Sequence, residues 1–250
     1  MPDVNMAEVP FLTTFCSKYL INALTLKNRI TRRLREGIVN IMIPIDSMRM
    51  TFIESAVRVV ARCGLENTTT KAIAADAGLN EAYIYRCFEN KENLLSEAFH
   101  MEDVVYANLL RKTRPVMNMK ELSWKERCFL LWRASWLFIL QKDDECIFYL
   151  RYYYSASCRK YAYKTHMECF TKLIDESRHA FKPGVNVDLL VHQIFDTMLA
   201  FALRVLSGEM ENNDAAVRWT FEQIYCFVAP NIKEELLQEE GNLSDNEQNP

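Results

Sequence analysis

Glycine and proline are scarce: 6 and 7 of 250 residues, 13 together, or about 5% against roughly 12% in an average chain. So little turn punctuation excludes the many hairpins of a β-sandwich or barrel. The glycine-rich strand-to-helix turn of a nucleotide-binding α/β fold is also missing. There is no Cys-x-x-Cys pair. The eight cysteines, at 16, 63, 87, 128, 146, 158, 169 and 226, lie mostly within apolar helical patterns. They read as reduced, buried thiols rather than a disulfide framework, which implies a cytoplasmic protein. No run approaches about 18 uninterrupted apolar residues, so no membrane span is expected. Gly-x-Ser-x-Gly, His-Glu-x-x-His and a phosphate loop are absent, and no nucleophile stands beside a base. No enzyme, cofactor or metal centre is therefore expected. A surplus of positive charge is lacking too. The net charge of -3 argues against general affinity for polyanions, but leaves room for a local DNA-reading surface. What is present is a half-apolar chain, long enough to bury a sizeable core. It reads as all-α.

Residues 1–46 differ from the rest. The apolar stretch 11–26 follows Asp3 and Glu8 and is interrupted by Lys18, a poor signal peptide. Residues 28–37 (NRITRRLREG) are basic. They read either as an arm on DNA phosphates or the minor groove, or as an extension upstream of a true start at Met42, Met48 or Met50. The extension is the preferred reading.

From Ser47 a helical pattern begins. Phe52, Ala56, Val59, Val60 and Cys63 share one face, and Gly64 stops the run. Thr69 is a natural N-cap for a short helix holding Ile73, Ala74 and Ala77, which Gly78 ends. Asn80 opens a third helix, 81–87, and Asn90 a fourth reaching about 112. Longer helices follow over roughly 121–142, 145–155, 157–180, 186–207 and 212–229. Residues 234–250, with six acidic and no basic side chains, read as a disordered tail. The division expected is an extension over 1–46, a domain of short helices over 47–100, a domain of longer helices over 101–233, and the tail.

Three short helices with a tight glycine turn between the second and third form a helix-turn-helix pattern. Ala74 is small where the third helix crosses. Gly78 supplies the left-handed turn and Ile84 fills the space between helices. Within residues 68–95 (TTTKAIAADAGLNEAYIYRCFENKENLL) the order and spacing of Thr68-Thr69, Ile73-Ala74, Ala77-Gly78-Leu79, Ile84-Tyr85, Phe88, Lys91-Glu92 and Leu94-Leu95, with Gly64 before them, resemble the DNA-binding domain of the TetR family of bacterial repressors. The likeness is specific over 48–100 and architectural over 101–230.

That resemblance implies a homodimer placing two third helices in successive major grooves of a double-stranded, pseudo-palindromic operator. Asn80, Glu81, Ala82 and Tyr83 would then face base edges or nearby backbone. Tyr85 and Arg86 would reach phosphates or a guanine edge, and Thr70, Lys71 and Lys91 would sit on phosphate. Glu81 departs from the lysine common there. Residues 47–100 carry six Lys/Arg against seven Asp/Glu, low for a DNA reader. Glu81 either accepts from a cytosine amino group or merely suits the helix dipole. Phe88 is expected in the core.

Residues 121–180 are rich in aromatic side chains, enough for a plain helical core. The resemblance implies an effector pocket among them. Trp132, Trp136, Tyr152, His166, Phe170 and Met198 are the expected lining, for a small hydrophobic or aromatic ligand. The fourth helix joins both domains and is the expected lever. The last two long helices are expected to pair with a partner's through some of Leu189, Ile194, Ala200, Leu203, Trp219 and Ile224, or to use those residues in the subunit core. His166-x2-Cys169, with Cys158 upstream, offers two metal ligands on one face. Glu176-x2-His179 is half a di-iron motif, and His192 with Asp196 an ordinary polar pair. All three read better as structural. The function expected is a ligand-responsive transcriptional repressor. The alternative is a TetR-like helical ligand-binding or protein-interaction module that has lost operator binding.

Overall fold

The computed structural model describes residues 45–238, all within one compact unit. The basic segment 28–37, the choice of start and the end of the acidic tail lie outside those residues. Among the described residues the architecture is all-α. It contains α1 (Ile45–Cys63), α2 (Thr70–Ala77), α3 (Ala82–Phe88), α4 (Lys91–Thr113), α5 (Trp124–Ile139), α6 (Asp143–Tyr153), α7 (Tyr163–Ser177), α8 (Val187–Leu206), α9 (Asp214–Val228) and α10 (Glu234–Leu237).

The helix starts are set by local side-chain chemistry. Thr69 accepts from the Ala72 amide, Asn90 from Asn93, Asn186 from Leu189 and Asn213 from Ala216. Ser123 and Glu126 form a reciprocal capping box that starts α5, later than the expected 121. Gly78, at φ 65°, ends α2 in the left-handed region, and the Leu79 amide returns to the Ala74 carbonyl at 3.1 Å.

The helix expected over 157–180 runs without a break but is not uniform: a π turn (Cys158–Ala162) leads into α7 and a 3-10 turn (Arg178–Ala180) ends it, the Ser155 hydroxyl accepting from the Cys158 amide at the start. One expectation needs correction. The tail does not fray at residue 234: Glu234–Leu237 is a short helix whose Leu236 and Leu237 pack on the core.

One apolar core joins Phe52, Val59 and Val60 of α1, Ile73 and Ala74 of α2, Ile84 and Phe88 of α3 and Leu94, Leu95 and Phe99 of α4 with Phe148, Tyr149 and Tyr152 of α6. The helix-turn-helix and the chain beyond residue 100 therefore share packed side chains. A second core gathers Trp124, Trp132 and Trp136 of α5, Leu190 and Met198 of α8 and Val217, Phe221 and Ile224 of α9. Helix α4 packs against α1, α3, α5, α6 and α7.

Helix α8 is long and apolar enough to cross a membrane by length and composition. The expectation drawn from uninterrupted runs missed this because Asp188, Asp196 and Arg204 stand along it. Its Met198, Leu199 and Ala202 are buried in the protein.

Candidate nucleic-acid interface and buried polar cluster

On α2 and α3, Ile73, Ala74, Ile84, Cys87 and Phe88 turn inward. The same periodicity points Lys71, Asn80, Ala82, Tyr83, Tyr85 and Arg86 outward, all exposed. Phe88 meets Phe52 edge-on with ring centroids 6.4 Å apart. Thr70 is half-buried at the first turn of α2. Its hydroxyl donates to Glu81 and lies 3.4 Å from the Tyr85 hydroxyl. Glu81 is thus tied to Thr70 ahead of α3. The Asn80 side chain accepts from the Ala82 amide at 2.8 Å and starts the helix.

Lys91 stands apart from this group. Its ammonium donates to the Thr68 carbonyl at 3.0 Å, fastening the start of α4 to the loop before α2. The other cations of the domain are mostly committed internally. Arg49 pairs with Glu97 and the Cys87 carbonyl, and its guanidinium lies 4.5 Å from the Phe88 ring centroid. Arg58 grips Asp76 through Nε at 3.0 Å and Nη2 at 2.7 Å, with Arg62 at 3.3 Å. Burial raises the Asp76 pKa, but hydrogen bonds and charge from Arg58, with help from Arg62 and Ser55, outweigh it and hold the carboxyl below 3.8. Among the described residues, Lys71 and Arg86 are left as the domain's cations without an ion-pair partner.

The six side chains expected to line one effector pocket fall into two groups. Trp132 and Trp136 lie in the second core with Met198. Their indoles donate to Thr220 (3.2 Å) and Asn212 (2.9 Å) on the α9 side. Tyr152 and His166 lie against Phe99 of α4, and Phe170 joins them through His166. The Phe99 ring lies 5.1 Å from Tyr152 and 5.7 Å from His166, and Phe170 lies 5.2 Å from His166. Helical spacing gave each residue an inward face but not its neighbours across the core.

At the heart of the second group is a carboxylate that sequence reasoning missed. Asp103 of α4 is fully buried, and its Oδ1 accepts from the Tyr149 hydroxyl at 2.7 Å and lies 3.0 Å from His166 Nδ1. Burial, then the adjacent Asp103 charge, pushes the Tyr149 hydroxyl well above its ordinary value, so it remains a neutral donor. Beside them, Cys169 Sγ lies 3.6 Å from His100 Nδ1. Burial and the Asp103 charge push the Cys169 thiol up. Burial likewise pushes Cys146 up to about 12 and Cys158 to about 11, consistent with inert buried thiols.

The remaining polar pairs take other partners. Glu176 pairs with Arg114 rather than opposing a His179 ligand. His192 Nδ1 lies 2.6 Å from the Asp188 carbonyl, while Asp196 accepts from the Tyr153 hydroxyl at 2.8 Å, so His192 and Asp196 are not a pair.

Of the six residues assigned either to the dimer seam or to the core, Leu189, Leu203 and Trp219 are 65%, 53% and 55% exposed, and Ala200 is exposed as well. Ile194 is half-buried and Ile224 is in the second core.

Comparison with known proteins agrees with this architecture. The family model described as "Bacterial regulatory proteins, tetR family" matches residues 52–98, the helices just described. No curated protein sequence matches the chain. Among solved structures, a TetR family transcription regulator from Marinobacter aquaeolei VT8 is 21% identical, with TM-score 0.52, covering 72% of this chain and 94% of its own. A TetR-like transcriptional regulator from Rhodococcus sp. RHA1 is 18% identical, with TM-score 0.53, over 73% and 96%. The transcriptional regulator FadR from Bacillus subtilis, solved with stearoyl-CoA, is 20% identical, with TM-score 0.55, over 70% and 96%. Residues 52–98 thus match the tetR family model, and the described residues share the fold of these regulators.

Proposed function

We propose that the protein is a ligand-responsive repressor, cytoplasmic and not an enzyme, that binds a pseudo-palindromic operator as a homodimer. The observation that carries this reading is the outward face of α2 and α3. There, Lys71, Tyr83, Tyr85 and Arg86 stand exposed above a fully packed helix-turn-helix core. Such a helix pair offers side chains to a major groove and free amides at the α2 start to phosphate. Thr70, Asn80, Glu81 and Ala82 border the same face. Glu81, held by Thr70, acts there as a spacer more readily than as a base reader. Lys91, engaged with Thr68, orders the loop and is a weaker candidate for phosphate.

Four exposed apolar positions on α8 and α9 support dimerisation, because a patch of that kind on a monomer is a partner's seat. The aromatic groups around Phe99 and Trp136 support a small hydrophobic molecule as the effector class. The Bacillus subtilis FadR structure holds a fatty acyl thioester, which supports an apolar ligand class. A ligand favouring the wrong spacing of the reading helices lowers operator affinity by the same coupling energy.

The second reading, a helical module without operator binding, is favoured by the internal pairing of Arg49, Arg58 and Arg62. Binding of the purified protein to the DNA upstream of its own gene, across a salt series and followed by random-sequence selection, separates the two. The expected result is a limited footprint with half-sites about one helical turn apart. No specific binding in either assay would favour the module.

A further inference from the structure

Helix α4 carries His100-Met101-Glu102-Asp103, and α7 carries His166-Met167-Glu168-Cys169. In each, two potential ligands stand three residues apart, on one face of a helix. The two helices pack together and their pairs cross over: His100 meets Cys169, and His166 meets Asp103.

A nitrogen of His100, a carboxylate oxygen of Asp103 and the Cys169 sulfur all lie within 4.8 Å of one another. For a tetrahedral zinc with Zn–N and Zn–S bonds of about 2.05 and 2.3 Å, the nitrogen and sulfur stand about 3.6 Å apart. The separation of His100 Nδ1 and Cys169 Sγ is 3.6 Å. A simple thiol–imidazole hydrogen bond has that length too, but it leaves Asp103 unexplained. Tyr149 and His166 occupy Oδ1 and fix the carboxylate, whereas Oδ2 is buried with no partner. An orphan carboxylate oxygen in the interior is costly, and a cation beside it removes the cost.

We infer that His100, Asp103 and Cys169 form a binding site for a divalent transition metal, with zinc the best match to one imidazole, one carboxylate and one thiolate. Tyr149 and His166 position the carboxylate through its other oxygen, as outer partners do in metal sites. Binding displaces the Cys169 thiol proton to solvent and forms the metal–sulfur bond. Three protein ligands leave a fourth position for water or another small donor. The site clamps α4 to α7. It requires nothing of the DNA-binding reading, and its test contains no DNA.

The test uses the full chain, stripped with a chelator and kept in a non-thiol reductant, titrated with Co²⁺. The expected result is one equivalent bound, with a thiolate-to-cobalt charge-transfer band that Zn²⁺ abolishes by displacement. Cys169→Ser should remove the band. His100→Ala should lower Zn²⁺ affinity at least about tenfold in competition with a chromophoric chelator. Zn²⁺ should raise the thermal midpoint of the native sequence and not that of Cys169→Ser. The absence of stoichiometric binding would overturn the site. So would an unchanged band in both variants, because another thiol would then hold the metal. Should His100→Ala lose its helical circular dichroism, the near-isosteric Cys169→Ser decides alone.

Discussion

The Arg151 guanidinium of α6 donates to the backbone carbonyl of Val60 in α1, with Nη1 2.6 Å from the oxygen. The same nitrogen reaches the Ala61 carbonyl at 2.9 Å. These carbonyls belong to the last turn of α1, where the dipole favours a cation, and Val60 also accepts from the Gly64 amide at 2.9 Å. The contact fastens the helix-turn-helix to the chain beyond residue 100 at a point separate from α4, so the helix expected from sequence to join the two is one of two joints.

Removing that joint should be measurable. Arg151→Ala leaves two carbonyls without their charged donor, at a cost of about 1–2 kcal/mol. For a chain of this size the thermal midpoint should fall by about 2–8 °C, at 2–4 °C per kcal/mol. Differential scanning calorimetry reads it; an unchanged midpoint would show that water replaces the guanidinium at no cost.

Asp76 gives a stability term with a defined pH window. Its folded pKa lies below 3.8, held down by Arg58 and Arg62 against the upward push of burial. The stabilisation is therefore fully present above the unfolded value and is lost as pH falls through the lower folded value. Asp76→Asn should lower stability by about 1 kcal/mol at pH 7. The gap from the native sequence should close below about pH 3.8. Urea denaturation at several pH values checks it, and a gap constant down to pH 3 would reject the pairing.

Leu203 and Trp219 lie exposed on the last two long helices, and Trp219 meets Phe201 edge-on at 5.9 Å. In the proposed homodimer these side chains would be covered, and a carboxylate placed there would be desolvated without a partner. Leu203→Glu should shift the protein from dimer to monomer in sedimentation velocity with its helix content kept. Native protein sedimenting as a monomer at micromolar concentration would remove the seam from this face.

How much of this was legible in the sequence depended on the range of the interaction. Thr69, Asn90 and Gly78 were readable because a cap or a left-handed turn is chemistry within a few residues. The outward face of α2 and α3 followed from the family resemblance, while the inward Ile73, Ala74 and Ile84 followed from local spacing. The grouping of Trp132 and Trp136 apart from Tyr152, His166 and Phe170 did not, because a period assigns a face and not the helix opposite. His100 and Asp103 were passed over for the same reason: Cys169 lies 66 residues after Asp103 in the chain, by 169 − 103. The shared His-Met-Glu prefix of the two segments was the signal available.

The charge deficit of residues 47–100 becomes quantitative once the partners are known. Of the six cations, Arg49, Arg58 and Arg62 are ion-paired and Lys91 is hydrogen-bonded to Thr68. Lys71 and Arg86 stay available, so a dimer would neutralise about four phosphates and the slope of log K against log salt would be about −3.6. Raising salt fourfold should then weaken operator binding about 150-fold. Lys71→Ala or Arg86→Ala, acting in both protomers, should flatten the slope by about 1.8. Arg86→Ala should in addition relax sequence preference if its guanidinium meets a guanine edge, whereas Lys71→Ala should weaken all sequences alike. Fluorescence anisotropy with operator and scrambled duplexes separates these. A slope near −8 that neither variant moves would take the phosphate contacts away from α2 and α3. The basic segment 28–37 would then be the next place to substitute.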